Sequence, residues 1–375
     1  MRILLVGAGG YAVNYVKILL ENADENIIWE GIVDPYFSNC IFKKEIEEKG
    51  IPVYDTMEEF FNEHDADFTV IGTPTFLHCE QSIYALSKGS DVLCEKPLAP
   101  TMEEAEKMAE AEKKYGHFIA IGYQWSYADA ILNLKRDILD GKFGKPLNLK
   151  TAISWPRNKA YYKRGGGWGG KIKKDGKLLL DSIASNACAH YLHNMLFILG
   201  DTMETSAEFS DFEAECYRAN DIENFDTCSF RIKTAGGAEL FYIASHASGK
   251  LRNPEFEYNF EKGKVTFAVD NGCEIIAEFS DGSTKNYGNP FENEFKKFFD
   301  CIKASEEKTV PVCTVKTATP HTEFIYKLYE KNTVKTFDKN LILLNEKTDT
   351  VYVKDLFEKM YKAYEEQKML SEIKK

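Results

Sequence analysis

A glycine turn near the N-terminus is the first group of residues suited to chemistry. Gly7, Gly9 and Ala12 follow the apolar run 3–6 in the pattern G-x-G-x-x-A. A glycine without a side chain lets a pyrophosphate approach the backbone, and the N–H groups that open the next helix favour its negative charge. Asp34 ends the next predicted strand, where a carboxylate accepts hydrogen bonds from both ribose hydroxyls of NAD and repels a 2′-phosphate. The pattern predicts a dinucleotide site that prefers NAD to NADP, although Lys43 and Lys44 are close enough in sequence to meet a phosphate.

Lys96 is a second candidate, because it stands between Glu95 and Pro97 at the end of a predicted strand. Strand ends in an open α/β sheet point at the ligand crevice. An ammonium buried beside a cationic nicotinamide would lose stability, so Lys96 could transfer a proton or anchor a hydroxyl. An ion pair with Glu95 is the structural alternative. Two roles remain possible for His78: a hydrogen-bonded histidine at a helix terminus, or a residue beside the cofactor.

Residues 155–164 and the glycine-rich run 165–170 combine aromatic rings with basic side chains. Rings stack on the C–H faces of a sugar, and the forked guanidinium donors hold hydroxyls or a carboxylate. The alternative is an exposed loop with ordinary surface charge. His246, on a later predicted strand, is a further candidate for the same pocket. The predicted substrate contacts in this segment are Trp155, Arg157, Tyr161, Arg164 and Trp168.

These residues need a scaffold, and the order of predicted elements indicates one. Residues 1–124 alternate strands and helices, with the first helix over 14–23, which is typical of a doubly wound parallel sheet. Residues 125–333 are mostly strands joined by hairpin turns, which predicts an α+β domain with a mostly antiparallel sheet and one long helix near 185–199. Residues 334–375 form a C-terminal extension.

The bulk composition narrows the class of protein. The chain has 375 residues, 44% hydrophobic content and a net charge of −12, which argues against nucleic acid and anionic membranes as partners. No apolar run approaches the ~18 residues of a membrane span, and the N-terminal run is too short for a signal peptide. The nine cysteines are scattered without a C-x-x-C pair or zinc spacing, so we expect reduced thiols in the cytoplasm and no metal site.

The turn Thr73-Pro74 with His78, followed by Glu95-Lys96-Pro97, resembles the glucose–fructose oxidoreductase/inositol dehydrogenase (Gfo/Idh/MocA) family. The resemblance extends from residue 1 to about residue 330. It implies a Rossmann domain that binds NAD or NADP, followed by an α/β domain that often makes oligomer contacts. Taken together, the predicted cofactor contacts are Gly7, Gly9, Gly10, Tyr11, Ala12, Asp34, Thr73, Pro74, His78, Glu95, Lys96 and Gln124.

The long helix carries a departure from the family. The family has a D-x-x-x-H pair here, with the histidine ten residues before a glycine; that histidine is His190, and the aspartate falls on Asn186. The two share a helix face at i and i+4. We expect His190 to accept a proton or bind substrate, or else to pack on an apolar face. Asp181 either supplies the missing carboxylate or caps the helix with Ser182, and His193 is open between substrate contact and packing.

Together these residues predict reversible hydride transfer between NAD and a secondary hydroxyl of a sugar, glycoside or cyclitol. Lys96 or His190, with Asn186, would be the catalytic set. Two alternatives stay open: an NAD-dependent glycosidase that oxidises its sugar transiently, and a non-enzymatic sensor that binds NAD. An apolar sheet face in the second domain would be exposed in a monomer, which predicts a homodimer or homotetramer.

Overall fold

The computed structural model describes residues 1–21 and 26–374. The chain divides into two compact units, Met1–Tyr123 with Phe295–Thr319 and Gln124–Glu294 with Pro320–Lys375. The sequence did not indicate the return of 295–319 to the first unit. The predicted domain bounds 1–124, 125–333 and 334–375 stay a prediction.

The strands of the described residues are numbered in chain order. They are β1 Arg2–Val6, β2 Ile28–Val33, β3 Val53–Tyr54, β4 Phe68–Ile71, β5 Asp91–Cys94, β6 Ile119–Ile121, β7 Pro146–Ser154, β8 Lys173–Lys174, β9 Lys177–Leu178, β10 Phe209–Arg218, β11 Thr227–Thr234, β12 Glu239–Ser245, β13 Arg252–Phe260, β14 Gly263–Ala268, β15 Ile275–Phe279, β16 Thr284–Gly288, β17 Val334–Thr336, β18 Ile342–Asn345 and β19 Thr350–Val353.

The α-helices are numbered in the same way. They are α1 Val13–Glu21, α2 Lys43–Glu48, α3 Met57–Glu63, α4 His78–Ser87, α5 Met102–Tyr115, α6 Asp129–Leu139, α7 Lys159–Gly167, α8 Ala189–Phe197, α9 Lys296–Glu307, α10 Val315–Lys331 and α11 Leu356–Glu366. The last two positions of the predicted first helix, 22 and 23, lie outside the described residues.

The first unit contains a six-stranded parallel sheet in the order β3-β2-β1-β4-β5-β6. Every residue of β4 and β5 is buried, as expected for strands covered on both faces. The strand order reverses between β1 and β4, and ligands of such sheets bind at the carboxyl ends of the strands beside this reversal. The predicted doubly wound parallel sheet is confirmed.

Local capping fixes where the helices of this unit begin. Thr56 caps α3 by accepting a hydrogen bond from the backbone N–H of Glu59, whose side chain returns to the cap. Thr101 caps α5 by accepting from the N–H of Glu104, and Gly116 ends that helix at φ 72°. A side-chain oxygen at the cap satisfies an N–H that the helix leaves unpaired, so these residues set the register of the packed helices.

The second unit contains a nine-stranded sheet in the order β16-β15-β14-β13-β7-β12-β11-β10-β17. The β7–β12 and β10–β17 pairs are parallel, and the other neighbouring strands are antiparallel. Buried and half-buried residues alternate along β13, with Phe256 and Tyr258 facing the core. The predicted α+β unit with a mostly antiparallel sheet is confirmed.

The C-terminal extension packs against this sheet. Helix α11 places Met360 and Tyr364 in one apolar cluster with Ala152 of β7 and with Phe241 and Ile243 of β12. The expectation that this apolar sheet face stays exposed in a monomer is therefore wrong for these residues, because the chain covers them with its own tail.

Two further observations concern the whole of the described chain. None of its described helices combines the length and apolar character that a bilayer crossing requires. Its cysteines are buried except Cys273, which is half-buried, and they form no disulfide within residues 1–21 and 26–374.

Candidate active site

The glycine turn after β1 leaves open space above its backbone. Gly7 has φ +89° and Gly10 has φ +57°, conformations that a residue with a side chain rarely adopts. Both Gly9 and Gly10 are exposed, and a Cβ added at either would meet no atom within 4 Å. Gly9 stands immediately before the short 3₁₀ turn Gly10–Ala12, which leads into α1. The turn can therefore receive a pyrophosphate against its backbone N–H groups.

Ala12 is buried and sets how closely the turn approaches β4. A Cβ added at Gly72, which follows β4, would lie 2.6 Å from the Cβ of Ala12. This close approach needs a small residue at both positions, so the alanine of the G-x-G-x-x-A pattern has a packing role beside the ligand role of the glycines.

Asp34 joins the end of β2 to the glycine turn. One carboxylate oxygen accepts from the N–H of Ala8 at 2.8 Å, and the other accepts from the N–H of Tyr36 at 2.8 Å. The residue is half-buried, so its carboxylate keeps a solvent-facing side for ribose hydroxyls. Lys43 and Lys44 lie 3.6 Å from the carboxylates of Glu47 and Glu48 on the same helix.

The turn after β4 and the Lys96-Pro97 segment are tied together by His78. Its Nε2 lies 2.9 Å from the carbonyl oxygen of Thr73, and its Nδ1 lies 2.8 Å from that of Pro97. Burial lowers the pKa of His78, while the two carbonyls oppose that effect. His78 therefore holds the two loops in place, and the half-buried Thr73 and Pro74 form the loop surface.

Glu95 is buried and uses both carboxylate oxygens inside the protein. Its Oε1 accepts hydrogen bonds from the hydroxyl of Tyr15 and from the ammonium of Lys297. Its Oε2 lies 3.3 Å from the backbone nitrogen of Lys96. Glu95, which the structural alternative pairs with Lys96, forms an ion pair with Lys297. The half-buried Lys96 follows directly after it in the chain.

Lys297 is a residue of this site that the sequence analysis did not predict. It lies on α9 and is 0% exposed; its ammonium also donates to the carbonyl of Gly122 at 3.2 Å and lies 4.6 Å from the ring centre of Tyr11. The residue thus joins the ends of β5 and β6 to the glycine turn. The signal was present in the sequence, because Lys297 occupies the same helix stripe as the apolar Cys301 and Ala304.

The first unit fits NAD on these observations. The exposed glycines would take the pyrophosphate, Asp34 the adenosine ribose, and the β4 and β5 ends the remaining half. The carboxyl ends of β1, β2, β4 and β5 place all these groups at one edge of the sheet.

In the second unit, the aromatic and basic segment forms a stacked group. The guanidinium carbon of Arg164 lies 3.7 Å from the ring centre of Tyr161 and 4.2 Å from that of Trp168. The guanidinium carbon of Arg157 lies 5.0 Å from Tyr161 and 5.5 Å from Trp155. Arg157, Tyr161 and Arg164 are half-buried, so the alternative of an ordinary exposed loop does not describe them.

A glycine makes this stacking possible. The backbone leaves helical geometry from Arg164 to Gly166, and a Cβ added at Gly165 would lie 2.2 Å from Nε1 of Trp168. Any side chain at Gly165 would push the Trp168 indole away from Arg164.

His246 joins the same group. Its ring lies 5.5 Å from that of Tyr161, and its Nδ1 lies 2.7 Å from the carbonyl oxygen of Trp155. Burial, with help from the charge of Arg157, lowers the pKa of His246 to about 3, so the ring is neutral near pH 7. We call Trp155, Arg157, Tyr161, Tyr162, Arg164, Trp168 and His246 the aromatic–arginine cluster.

Asp181 contacts Asn186, the position where the family has its aspartate. Oδ1 of Asp181 accepts from Nδ2 of Asn186 at 2.6 Å, and Oδ2 accepts from the N–H of Gly170 at 2.6 Å. Nη2 of Arg164 lies 3.7 Å from Oδ2. The helix cap is Ser182, whose hydroxyl accepts from the N–H of Ser185. Asp181 thus brings a carboxylate to Asn186 and to the edge of the cluster.

The helix that carries His190 is not continuous. Residues Ile183–Ala187 form a π-helical turn, and Cys188, at φ −108° and ψ 13°, separates it from α8. The N–H of Cys188 donates to the carbonyl of Ile183 at 2.9 Å, one residue further back than in an α-helix. The simple i, i+4 face predicted for Asn186 and His190 is therefore interrupted, and both residues are half-buried.

The structure does not bring His193 into the cluster. His193 is 1% exposed; its Nε2 lies 3.0 Å from the hydroxyl of Ser126, and its ring stacks on Phe197. Burial holds its pKa well below the ordinary value. Of its two open roles, packing describes this position. Gln124, predicted near the cofactor, begins the second unit in a short 3₁₀ turn.

Comparison with known proteins identifies the first unit. A family model described as "Oxidoreductase family, NAD-binding Rossmann fold" (GFO_IDH_MocA) matches residues 1–123. The rhizopine catabolism protein MocA of Rhizobium meliloti is 28% identical over 169 residues, 44% of this chain and 51% of that protein. The chain thus spans about half the length of this curated relative.

Two longer matches cover more of the chain. Glucose-6-phosphate 3-dehydrogenase of Bacillus subtilis is 25% identical over 275 residues, 73% of this chain and 71% of that protein. The WlbA dehydrogenase of Chromobacterium violaceum, solved with NADH and UDP-GlcNAcA, has a TM-score of 0.73 at 23% identity and covers 88% of this chain and 93% of its own. At that identity the likeness shows the fold alone. Residues 1–123, which contain the glycine turn and the Glu95-Lys96-Pro97 motif, thus match the NAD-binding Gfo/Idh/MocA oxidoreductase family.

Proposed function

We propose that the protein is an NAD-dependent oxidoreductase that interconverts a secondary hydroxyl and a ketone on a sugar, glycoside or cyclitol. The observation that carries this proposal is the shared sheet edge of the first unit, where the open glycine turn, Asp34 and Lys96 follow the carboxyl ends of β1, β2 and β5. The names of the similar dehydrogenases support a sugar as substrate.

The residues of the chain divide the work. When bound, NAD accepts the hydride that leaves the carbinol carbon. Asp34 holds the adenosine ribose, and Gly9 and Gly10 leave room for the phosphates. Lys96 Nζ or the imidazole of His190 takes the hydroxyl proton, because each residue is half-buried, Lys96 shortly after β5 and His190 in the first turn of α8.

The second unit supplies substrate contacts in this proposal. The ring of Tyr161 is flanked by two guanidinium groups, and the Asp181–Asn186 pair offers both acceptor and donor atoms to hydroxyls. We further propose a cytoplasmic location, in keeping with the cysteine pattern, and a homo-oligomer whose contacts lie outside the sheet residues that α11 covers. Light scattering checks the oligomer.

Product analysis tests the function. Purified protein with NAD⁺ and a panel of pyranosides and cyclitols is expected to form one NADH for each ketone. Release of free sugar from a glycoside without net NADH would instead indicate the glycosidase. NAD binding without turnover on any substrate would indicate a sensor, and neither alternative is favoured by the dehydrogenases that the chain resembles.

A further inference from the structure

Arg157 is half-buried, and no acidic side chain among the described residues forms an ion pair with its guanidinium. Its Nε is buried and has no hydrogen-bond partner within residues 1–21 and 26–374, and none of the ion pairs in that part of the chain includes it. Its neighbours are the rings of Tyr161 and Trp155. Burying a polar donor without an acceptor is unfavourable, so such a group is usually completed by water or by a ligand.

Other buried polar atoms of the aromatic–arginine cluster also lack a hydrogen bond among the described residues. The hydroxyl of Tyr162, Nη2 of Arg164 and Nε2 of His246 form no hydrogen bond with any residue that the structure describes. His246 is 1% exposed, and Asp181 lies beside Arg164 rather than Arg157. The four unsatisfied atoms belong to residues whose side chains all lie against the ring of Tyr161. Their grouping around one ring indicates a ligand site.

The chemistry of these atoms defines the ligand. Arg157 presents a planar set of donors that matches a carboxylate or phosphate group. The Nδ1 of His246 faces a carbonyl oxygen and must donate to it, so Nε2 of the neutral ring is an acceptor for a hydroxyl. Tyr162 adds a hydroxyl, and the ring of Tyr161 adds an apolar face. An anion, hydroxyls and C–H faces occur together in an acidic sugar.

We propose that the aromatic–arginine cluster binds an anionic sugar, a uronate or a sugar phosphate, with Arg157 on its negative group. The inference rests on the proposed function in taking the ligand as a sugar. Arg164 already lies beside Asp181, whereas Arg157 has no acid beside it among the described residues, so the ligand's charge belongs at Arg157.

Binding can be measured without turnover, because Trp155 and Trp168 report on the cluster by fluorescence. Glucose is titrated against glucuronate and glucose 6-phosphate, and galactose against galacturonate. We expect at least one anionic sugar to half-saturate at a concentration at least tenfold below its neutral partner. In Arg157→Gln the preference falls to about one. In Arg157→Lys part of it remains, because the charge stays and the planar fork is lost.

The control is Lys163→Gln, an exposed residue of the same segment, which is expected to keep the preference. Equal binding of neutral and anionic sugars, no binding of any sugar, or a preference that survives in a folded Arg157→Gln protein would overturn the inference. NADH formation with neutral sugars alone would leave the proposed function standing without it. Anion preference without NADH formation on any substrate would support the anionic-sugar site and contradict the proposed function.

Discussion

The ammonium of Lys297 and the carboxylate of Glu95 form an ion pair that is closed to solvent, with Lys297 0% and Glu95 5% exposed. The pair joins α9 to the end of β5, one residue before Lys96. The hydroxyl of Tyr15 donates to the same carboxylate, and burial beside Glu95 raises the pKa of that tyrosine well above its ordinary value.

Removing one partner of this pair should be costly. Lys297→Met leaves a buried carboxylate without its cation, and we expect the free energy of unfolding to fall by about 3–5 kcal/mol. The double variant Glu95→Gln/Lys297→Met should recover most of that loss, because no buried charge remains. Urea unfolding measures both. The control Lys303→Met, on the exposed side of α9, should change stability by less than about 0.5 kcal/mol. A loss below about 1 kcal/mol for Lys297→Met would contradict this account.

Asp34 should set the choice of cofactor. Asp34→Ala removes a charged acceptor, and hydrogen bonds to charged groups are worth about 1.5–3 kcal/mol, so NAD affinity should fall about 10- to 100-fold. The affinity for NADP should fall less than the affinity for NAD, because the repulsion between the carboxylate and the 2′-phosphate disappears. Titrations with NAD and NADP measure the ratio, with exposed Glu58→Ala as the control. Unchanged NAD affinity in Asp34→Ala would show that the carboxylate does not contact the ribose.

Asn186 is expected to work as an amide beside Asp181. Asn186→Asp would place two carboxylates at the 2.6 Å contact, which raises the pKa of one of them. A repulsion of about 1.4 kcal/mol changes an equilibrium or rate constant about tenfold. We therefore expect kcat/KM at pH 7 to fall by about this factor. The pH profile should gain a carboxylate titration that wild type and Asn186→Ala lack. Higher activity in Asn186→Asp would mean that the family aspartate can be restored and that Asp181 does not replace it.

Buried histidine should make stability depend on pH. The pKa of His246 is about 3 in the folded chain and about 6.5 when unfolded. Between these values the unfolded chain binds the extra proton, so the unfolding free energy falls as pH falls, by up to ~1.4 kcal/mol per pH unit. Urea unfolding at several pH values from about 6.5 to 4.5 should show a shallower slope in His246→Gln than in wild type. The control is His64→Gln. Equal slopes in wild type and His246→Gln would show that protonation of His246 does not contribute to the pH dependence of the unfolding free energy.

Local motifs made much of the first unit predictable. The glycine turn, Asp34 and Glu95-Lys96-Pro97 each depend on a few adjacent residues and on alternating strands and helices, which a sequence displays directly. The partner of Glu95 could not be read in this way, because Lys297 is 202 residues away and only the tertiary fold brings it there. Residues 295–319 return to the first unit for the same reason.

The second unit shows two other limits. The π-helical turn before α8 depends on one extra residue in the backbone hydrogen-bond pattern, closed by Ser182 and Ser185, and helical periodicity does not reveal it. The place of α11 over β7 and β12 follows from long-range apolar contacts. In contrast, the aromatic and arginine residues of 155–168 were identified from composition alone, because stacked rings and guanidinium groups belong to one short segment.

The most direct test of the central claim is the turnover of Lys96→Ala at matched NAD occupancy. The control is Lys113→Ala, an exposed lysine of α5. With a substrate that yields one NADH per ketone in wild type, Lys96→Ala should bind NAD within about twofold while kcat/KM falls about 10²- to 10⁴-fold, the range of a lost proton-transfer group. Oxidation by Lys96→Ala at the wild-type rate would contradict the claim that Lys96 transfers the proton.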